Sequence, residues 1–523
     1  MPAGVVFPIV FPVAENPVVS IVIPAYNNWA YTRNCLISIY QLTDDVSYEV
    51  IVGDNVSTDE TVNLEKYFTN VVYLRNPENL GYIKNVNNAA SHARGRFILT
   101  LNNDTTVTRG WLSSLVDVMD RDPKAGLVGS KLVYPNGLMQ EAGGIIWRDA
   151  SGWNYGREGN PEAPEYNYLK EVDYVSGASN LIRKEIWDRL KGLDERYVPA
   201  YFDDSDLAFS IRGLGYKTVY QPLSVVIHYE GMAHGTDTSS GTKKYQVVNR
   251  EKFIEKWKAV LGTENFPNGE NVFHARDKSK GKKTIVVIDH YVPHFDKDAG
   301  SRTTFQLLNL FVRLNYNVKF IGDNFYKHEP YTTILQQMGI EVLYGEYYRD
   351  NWKQWIINNK KYIDYFYVNR PHISIKYIDF LRQNTNAKIV YYGHDLHFVR
   401  ERLQYEIEKD PTLLASIEQW KKTETEIIRQ SDTVLTLSYD EKEIIEKEIG
   451  HADVRIMPAF SYSRFNEPVT NFDQRKNILF VGGFGHKPNV DAVLWFAREV
   501  FPLVRRELKD VEFVIAGSKP PKK

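Results

Sequence analysis

The chain has 523 residues, 43% hydrophobic and 25% charged, with a formal net charge of −2; that is too long for one hydrophobic core and calls for two or three domains. This charge balance excludes a general attraction to nucleic acid or anionic membrane, so an anionic ligand must be captured locally. A single cysteine, Cys35, excludes a disulfide framework or a multi-cysteine zinc site and fits a reducing cytoplasm; it falls inside a helical pattern and reads as core packing.

The opening "MPAGVVFPIVFPV" is apolar but broken by Pro2, Pro8 and Pro12 and has no basic leader, so residues 1–17 read as an extended arm rather than a signal peptide. No apolar run approaches the roughly 20 residues of a transmembrane helix, so membrane contact is at most peripheral. From Val18 the segments "VSIVIPAYN", "TRNCLISIYQL", "YEVIVGDN", "TVNLEKYF" and "VVYLRN" alternate strand and helix patterns. That rhythm predicts βαβ units and a largely parallel sheet in a domain spanning 18–260. The next strand, "RFILTL", ends in the polar stretch "LNNDTTV". In open α/β sheets ligands bind outside the carboxyl ends of the strands, which sends Pro24 to Asn27, Asp54 and Asn102 to Asp104 to one rim.

Periodicity fades in "GTENFPNGENVFHARDKSKGKK", which predicts a linker over 261–282 with solvated lysines. A second Rossmann-like domain, 283–468, follows in "KTIVVIDHYVP", "TTFQLLNLFVRLN", "NVKFIGD", "KIVYYGHD" and "TVLTLS". The last stretch, 469–523, holds a strand, a helix and a strand in "NILFVGGFGHKPNVDAVLWFAREVFPLV" and "VEFVIAG", too few for a doubly wound domain, and is expected to be one cut short. The 34 tyrosines suit stacking on sugar rings, and they equally suit cores.

Three features of the first half carry chemistry: Asp104 at a strand end, Asp203, Asp204 and Asp206 in "YFDDSDLAFSIR", and His228 in "VVIHYEG". Singly they read as a turn, a helix cap and a structural histidine. Together they invite a cation, because three carboxylates within four positions repel one another. Mg²⁺ or Mn²⁺ would accept carboxylate and phosphate oxygens, and Mn²⁺ also an imidazole, so Asp104 with His228 makes a plausible pair of ligands beside a diphosphate.

In order, "IPAYNN", "GDNVSTDET", "ENLGYIKNVNNAA", "LTLNNDT", "VSGASNLIRKEIWDRLKGLDERY", "YFDDSDLAFSIRGLGY" and "VIHYEG" resemble the inverting family-two glycosyltransferases of GT-A fold, nearest their rhamnosyltransferase and galactofuranosyltransferase branch, over 18–257. The resemblance implies metal-dependent transfer of a sugar from a UDP- or dTDP-linked donor to a glycan or lipid-linked glycan. It also implies bacterial surface polysaccharide synthesis in the cytoplasm or at the inner face of the membrane, with no nucleic-acid partner. By the same likeness Asp104 is the metal-binding end of the DXD motif, His228 a further metal ligand and Asp204 the general base. Pro24, Tyr26 and Asp54 match positions that hold the nucleotide base, Asn79 and Gly81 the loop beside the donor, and Asn102 and Asn103 the first two places of the DXD motif. Asn102 replaces its usual aspartate, removing a charge. Asp203 and Asp206 are expected to raise the proton affinity of Asp204, with Asp206 capping or orienting the helix, and residues 176–181, "SGASNL", either flank the acceptor or form a plain turn.

The second half resembles a family-four glycosyltransferase of GT-B fold, over 283–523. Gly483 stands where that family commonly has an arginine, Lys487 is kept, and the glutamate pair has no counterpart, which implies no transfer by this half as given. Gly300 and Ser301 suit an anion nest or a simple cap. Two other readings remain open: a bifunctional enzyme whose second module is the main transferase, and a non-catalytic carbohydrate-binding scaffold.

Overall fold

The apolar runs of the first half become strands buried along their whole length, among them Val19–Ala25, Tyr48–Asp54 and Phe97–Leu101. Both faces of their sheet are covered, which is why these strands read as continuous hydrophobic runs. Their residues divide between two cores: Ile21 and Leu99 pack with Trp111 and Leu115, while Val22 and Ile98 pack with Phe209 and Tyr220. The computed structural model describes residues 7–229, 245–458, 460, 467, 471–485 and 487–518.

This first sheet has ten strands, eight of them in the order Lys170–Glu171, Lys217–His228, Ala125–Val133, Ser179–Arg183, Phe97–Leu101, Val19–Ala25, Tyr48–Asp54, Val72–Arg75. The last four are mutually parallel. Ser179–Arg183 runs antiparallel to both its neighbours, so the sheet is mixed where a largely parallel one was expected. The reversal matters for the site, because it brings the start of Ser179–Arg183 to the rim where Phe97–Leu101 ends. The described part of the expected arm is stitched in: Ile9–Val10 pairs with Phe68–Thr69, and Ile9 and Phe11 are buried.

The second sheet is parallel throughout, in the order Glu341–Leu343, Asn317–Gly322, Thr284–Asp289, Tyr365–Asn369, Lys388–Tyr392, Thr433–Thr436, Val454–Ile456. The helix Ala299–Arg313 begins beside it with Asp298, whose carboxylate accepts from Ser301 N and Ser301 Oγ at 2.7 Å each. Gly300 and Ser301 are therefore closed by the chain's own cap, the plainer of the two expectations. Residues Ser461–Lys523 form a separate unit, in which Ile478–Val481 pairs in parallel with Phe513–Ala516. Among the described residues no helix is long and apolar enough to cross a membrane.

The two large sheets lie in one compact unit, Met1–Phe460, and the stretch expected as a solvated linker is packed between them. The helix Tyr245–Glu264 runs into it, Val272–Ala275 adds a helical turn, and Phe273 stacks on Tyr362 with ring centroids 4.9 Å apart. Lys278, expected in solvent, pairs with Asp173 at 2.9 Å. At the centre of the junction the Arg276 guanidinium and the Lys319 ammonium each lie 2.7 Å from Glu341 Oε2, and Lys319 also lies 3.2 Å from Asp277. Tyr168 OH donates to Asp277 at 2.9 Å. Burial would lift the Asp277 carboxyl, but Lys319 and Arg276 outweigh it and bring it down to about 2. Removing one member of such a buried cluster strands its partners. Lys319→Met is expected to lower stability by about 3–5 kcal/mol in chemical denaturation; a change below 1 kcal/mol would show that the cluster carries no such weight.

Candidate active site

The turn after Phe97–Leu101 is built by its own polar residues. Asn102 N donates to Ala178 O at 3.0 Å, Thr105 Oγ1 to Asn102 O at 2.7 Å, and Asn103 Nδ2 to Thr32 Oγ1 at 2.9 Å. Asn103 is thus turned inward and serves the turn. Cys35 lies beneath it, its Sγ 3.5 Å from Thr105 Oγ1, and burial lifts its thiol to about 12, so it packs as expected and is not a nucleophile.

His228 arrives by strand pairing. Lys217–His228 runs antiparallel to Thr105–Val107 with His228 opposite Thr105, and Tyr229 N donates to Asp104 O at 3.0 Å. The imidazole Nε2 then stands 3.3 Å from Asp104 Oδ1 and 3.5 Å from Asn102 Nδ2, while Nδ1 lies 3.1 Å from Gln140 Oε1. An amide oxygen can only accept, so in this arrangement Nδ1 carries a proton toward Gln140, and in the neutral tautomer Nε2 presents its lone pair to the Asp104 carboxylate. In that tautomer the two atoms, 3.3 Å apart, can both ligate a hard divalent cation; with Nε2 also protonated they make an ion pair. Among the described residues no group of three or more His, Cys, Asp or Glu side chains gathers as a metal cage.

On the opposite side the helix Asp203–Gly213 carries the acidic triplet. Asp206 is spent on structure: it accepts from Trp257 Nε1 and Lys256 Nζ at 2.7 Å and from Tyr197 OH at 3.0 Å. A cavity of about 370 Å³ beside it, lined by Asp194, Asp206, Ser210 and Lys256, contains none of the other site residues. Burial lifts Asp203 to about 7, with Asp204 adding to the rise. The Asp204 carboxyl is also raised, by burial, against the pull of the Ser205 and Gly177 backbone N–H groups. The rise expected at Asp204 is present, then, but its leading cause is burial, and Asp206 is answered by Lys256. Tyr201 and Phe202, with φ of 76° and 68°, bend the chain sharply into this helix. Asn249 holds the bend by donating to Tyr197 O at 2.7 Å and Ala200 O at 2.9 Å.

The residues expected beside the donor lie at or just beyond the ends of Val19–Ala25 and Tyr48–Asp54 and where the helix Gly81–Ala90 begins. Pro24 is buried, and Tyr26 just beyond it is 48% exposed. Asp54 is fully enclosed, bonded by Arg75 Nη1 at 2.6 Å, Tyr73 OH at 2.7 Å and Ser57 N at 3.0 Å, so it supports the more exposed Arg75 rather than offering a free carboxylate. Asn79 Oδ1 accepts from Gly81 N at 3.0 Å and from Asn55 Nδ2 at 2.6 Å. Gly81 has a φ of 73°, and a Cβ there would stand 2.9 Å from Pro199 Cβ, so only glycine fits.

Gln140, Tyr82 and Arg75 escape the sequence reading. Gln140 lies in the buried strand Met139–Glu141, where no periodicity marks it. Tyr82 follows Gly81 inside "ENLGYIKN", so the motif reaches it without giving it a role. Arg75 ends the strand Val72–Arg75 one residue before Asn76 and has no signal beyond its charge.

Residues 20–189 match the family model described as glycosyl transferase family 2, so the chain carries a glycosyltransferase domain of that family. Three curated relatives are similar to the same half. The uncharacterized protein y4gI of Sinorhizobium fredii is 31% identical over 235 residues, covering 43% of this chain and 26% of its own length. The O-antigen biosynthesis protein RfbC of Myxococcus xanthus is 29% identical over 247 residues, covering 45% of this chain and 19% of its own. The N-acetylglucosaminyl-diphospho-decaprenol L-rhamnosyltransferase of Mycobacterium tuberculosis is 26% identical over 250 residues, covering 43% and 80%. The chain thus spans about a quarter and a fifth of the first two.

A carboxyl held at about 7 when folded, against roughly 3.9 unfolded, makes the folded chain bind more protons between those values, so Asp203 costs stability as pH rises through that window. Asp203→Asn is expected to raise the thermal midpoint at pH 7 and to flatten its fall between about pH 4 and 7. An unchanged slope in the variant would show that Asp203 titrates normally.

Proposed function

We propose that the first sheet transfers a sugar from a uridine- or thymidine-diphosphate donor to a hydroxyl of a glycan or lipid-linked glycan, with inversion, in bacterial surface polysaccharide synthesis. The opposition of His228 Nε2 and Asp104 Oδ1 at 3.3 Å carries the reading. The names of the Myxococcus and Mycobacterium relatives support the kind of substrate. The chemistry is assigned to the first sheet.

Asp104 and His228 would hold Mn²⁺ or Mg²⁺, with Gln140 fixing the imidazole. When bound, such an ion offsets the negative charge that builds on the departing diphosphate. Tyr26 and Pro24 line the base end with Arg75, which Asp54 anchors. Asn79 and Gly81 shape the loop beside the donor, and Asn102 flanks the sugar. Asp204 takes the proton of the acceptor hydroxyl as its oxygen bonds to the anomeric carbon, on the face opposite the breaking bond to the diphosphate. A single displacement of this kind inverts the anomeric centre. Burial makes Asp204 a stronger base than an ordinary carboxylate.

Calorimetry with uridine and thymidine diphosphates, with and without Mn²⁺, tests this. Binding should require Mn²⁺, vanish in Asp104→Ala and persist in Asp204→Asn, whose transfer from labelled donor should fall by about 10²–10⁴. Binding indifferent to both metal and Asp104 would sink the reading in favour of a carbohydrate-binding scaffold.

A further inference from the structure

Tyr82 touches all three parts of the site. Its backbone N–H donates to Pro199 O at 3.0 Å, just ahead of the bend that enters the helix carrying Asp203 and Asp204. Its hydroxyl lies 3.5 Å from Asn102 Oδ1, on the side of Asp104 and His228. A Cβ on Gly177 would stand 3.2 Å from that same hydroxyl and 4.0 Å from Asp204 Cβ. Burial, and then Asp203, Asp204 and Asp104, keep the phenol far above its ordinary range, so it remains a donor.

Resting on the reading above, we propose that Tyr82 is a positioning residue: by donating to Asn102 Oδ1 it aims the Asn102 amide NH₂ at His228 and withholds the Asn102 oxygen from the ion. The contact is long, at 3.5 Å. Its direction is what counts. With the oxygen facing Tyr82, Asn102 Nδ2 faces His228 Nε2 at 3.5 Å. An aspartate at 102 could not donate there and would set a second carboxylate beside Asp104. Asn102 thus becomes a spacer set by Tyr82, and Asp104 with His228 are the chain's ligands. The absence of a side chain at Gly177 leaves the hydroxyl its room.

Electron paramagnetic resonance of Mn²⁺ in the presence of uridine diphosphate reads this without turnover, on the wild type, Tyr82→Phe, Gly177→Ala and the double variant. Tyr82→Phe, with its thermal midpoint unchanged, should tighten Mn²⁺ severalfold, because the released Asn102 oxygen can turn to the ion and its NH₂ no longer competes for the Nε2 lone pair. Gly177→Ala crowds the hydroxyl and should tighten it similarly. The double variant should be no tighter than Tyr82→Phe alone, because the crowded atom is gone. Should Gly177→Ala not fold, Tyr82→Phe decides alone. Mn²⁺ affinity in Tyr82→Phe within twofold of wild type or weaker than it, or strictly additive gains in the double variant, would overturn the proposal while leaving the transferase reading intact. A wild type that binds no Mn²⁺ with the nucleotide would overturn both.

Discussion

One register holds the site together. Because Lys217–His228 pairs with Thr105–Val107 so that His228 faces Thr105, the imidazole lands against Asp104. A slip of one residue would turn His228 to the other face and leave Asp104 alone. The length of the His228 strand makes that register possible. It first pairs in parallel with Ala125–Val133, shifts register between Gln221 and Val225, and continues to the rim. Pro222, which cannot donate to a ladder, falls within that irregularity, where its missing N–H costs least.

The reversal of Ser179–Arg183 supplies the complementary constraint. An all-parallel sheet would place only strand ends at the rim. The antiparallel strand adds a strand beginning, so Ala178 meets Asn102 from the far side, and the Gly177 N–H helps hold Asp204. The two carboxylate groupings are thereby kept apart and treated differently. Asp104 faces the His228 imidazole, whereas Asp203 and Asp204 sit in surroundings that favour the proton. Such a division of environments separates a charge-holding role from a proton-accepting one. Asp206, chemically identical, is removed from the chemistry by Lys256 and Trp257.

Much of this was legible in the sequence, and the reasons for the rest are specific. Alternation of β-rich and helical segments revealed two α/β sheets, and the rule that ligands sit at strand ends placed Pro24, Asp54 and Asn102 to Asp104 on one rim. Strand direction was not legible, because "SNLIR" carries no mark of which way it runs. The packing of the junction leaves no local mark, because its Gly, Asn and Lys content resembles a loop, while the burial of Arg276 and Asp277 depends on Lys319 and Glu341 far along the chain. Gln140 and Tyr82 escaped for a related reason: a polar side chain whose partner comes from another element leaves no local pattern. Asp54 was legible as a rim residue, but not as one already claimed by Arg75 and Tyr73.

The central claim is that Asp104 and His228 face each other across a cation position, and the most direct measurement is anomalous diffraction from crystals grown with Mn²⁺ and uridine diphosphate. The account predicts a single strong peak within bonding distance of Asp104 and His228 Nε2, with Gln140 still on Nδ1. A peak at Asp203 and Asp204 instead, or none while the nucleotide is bound and His228 remains against Asp104, would contradict it.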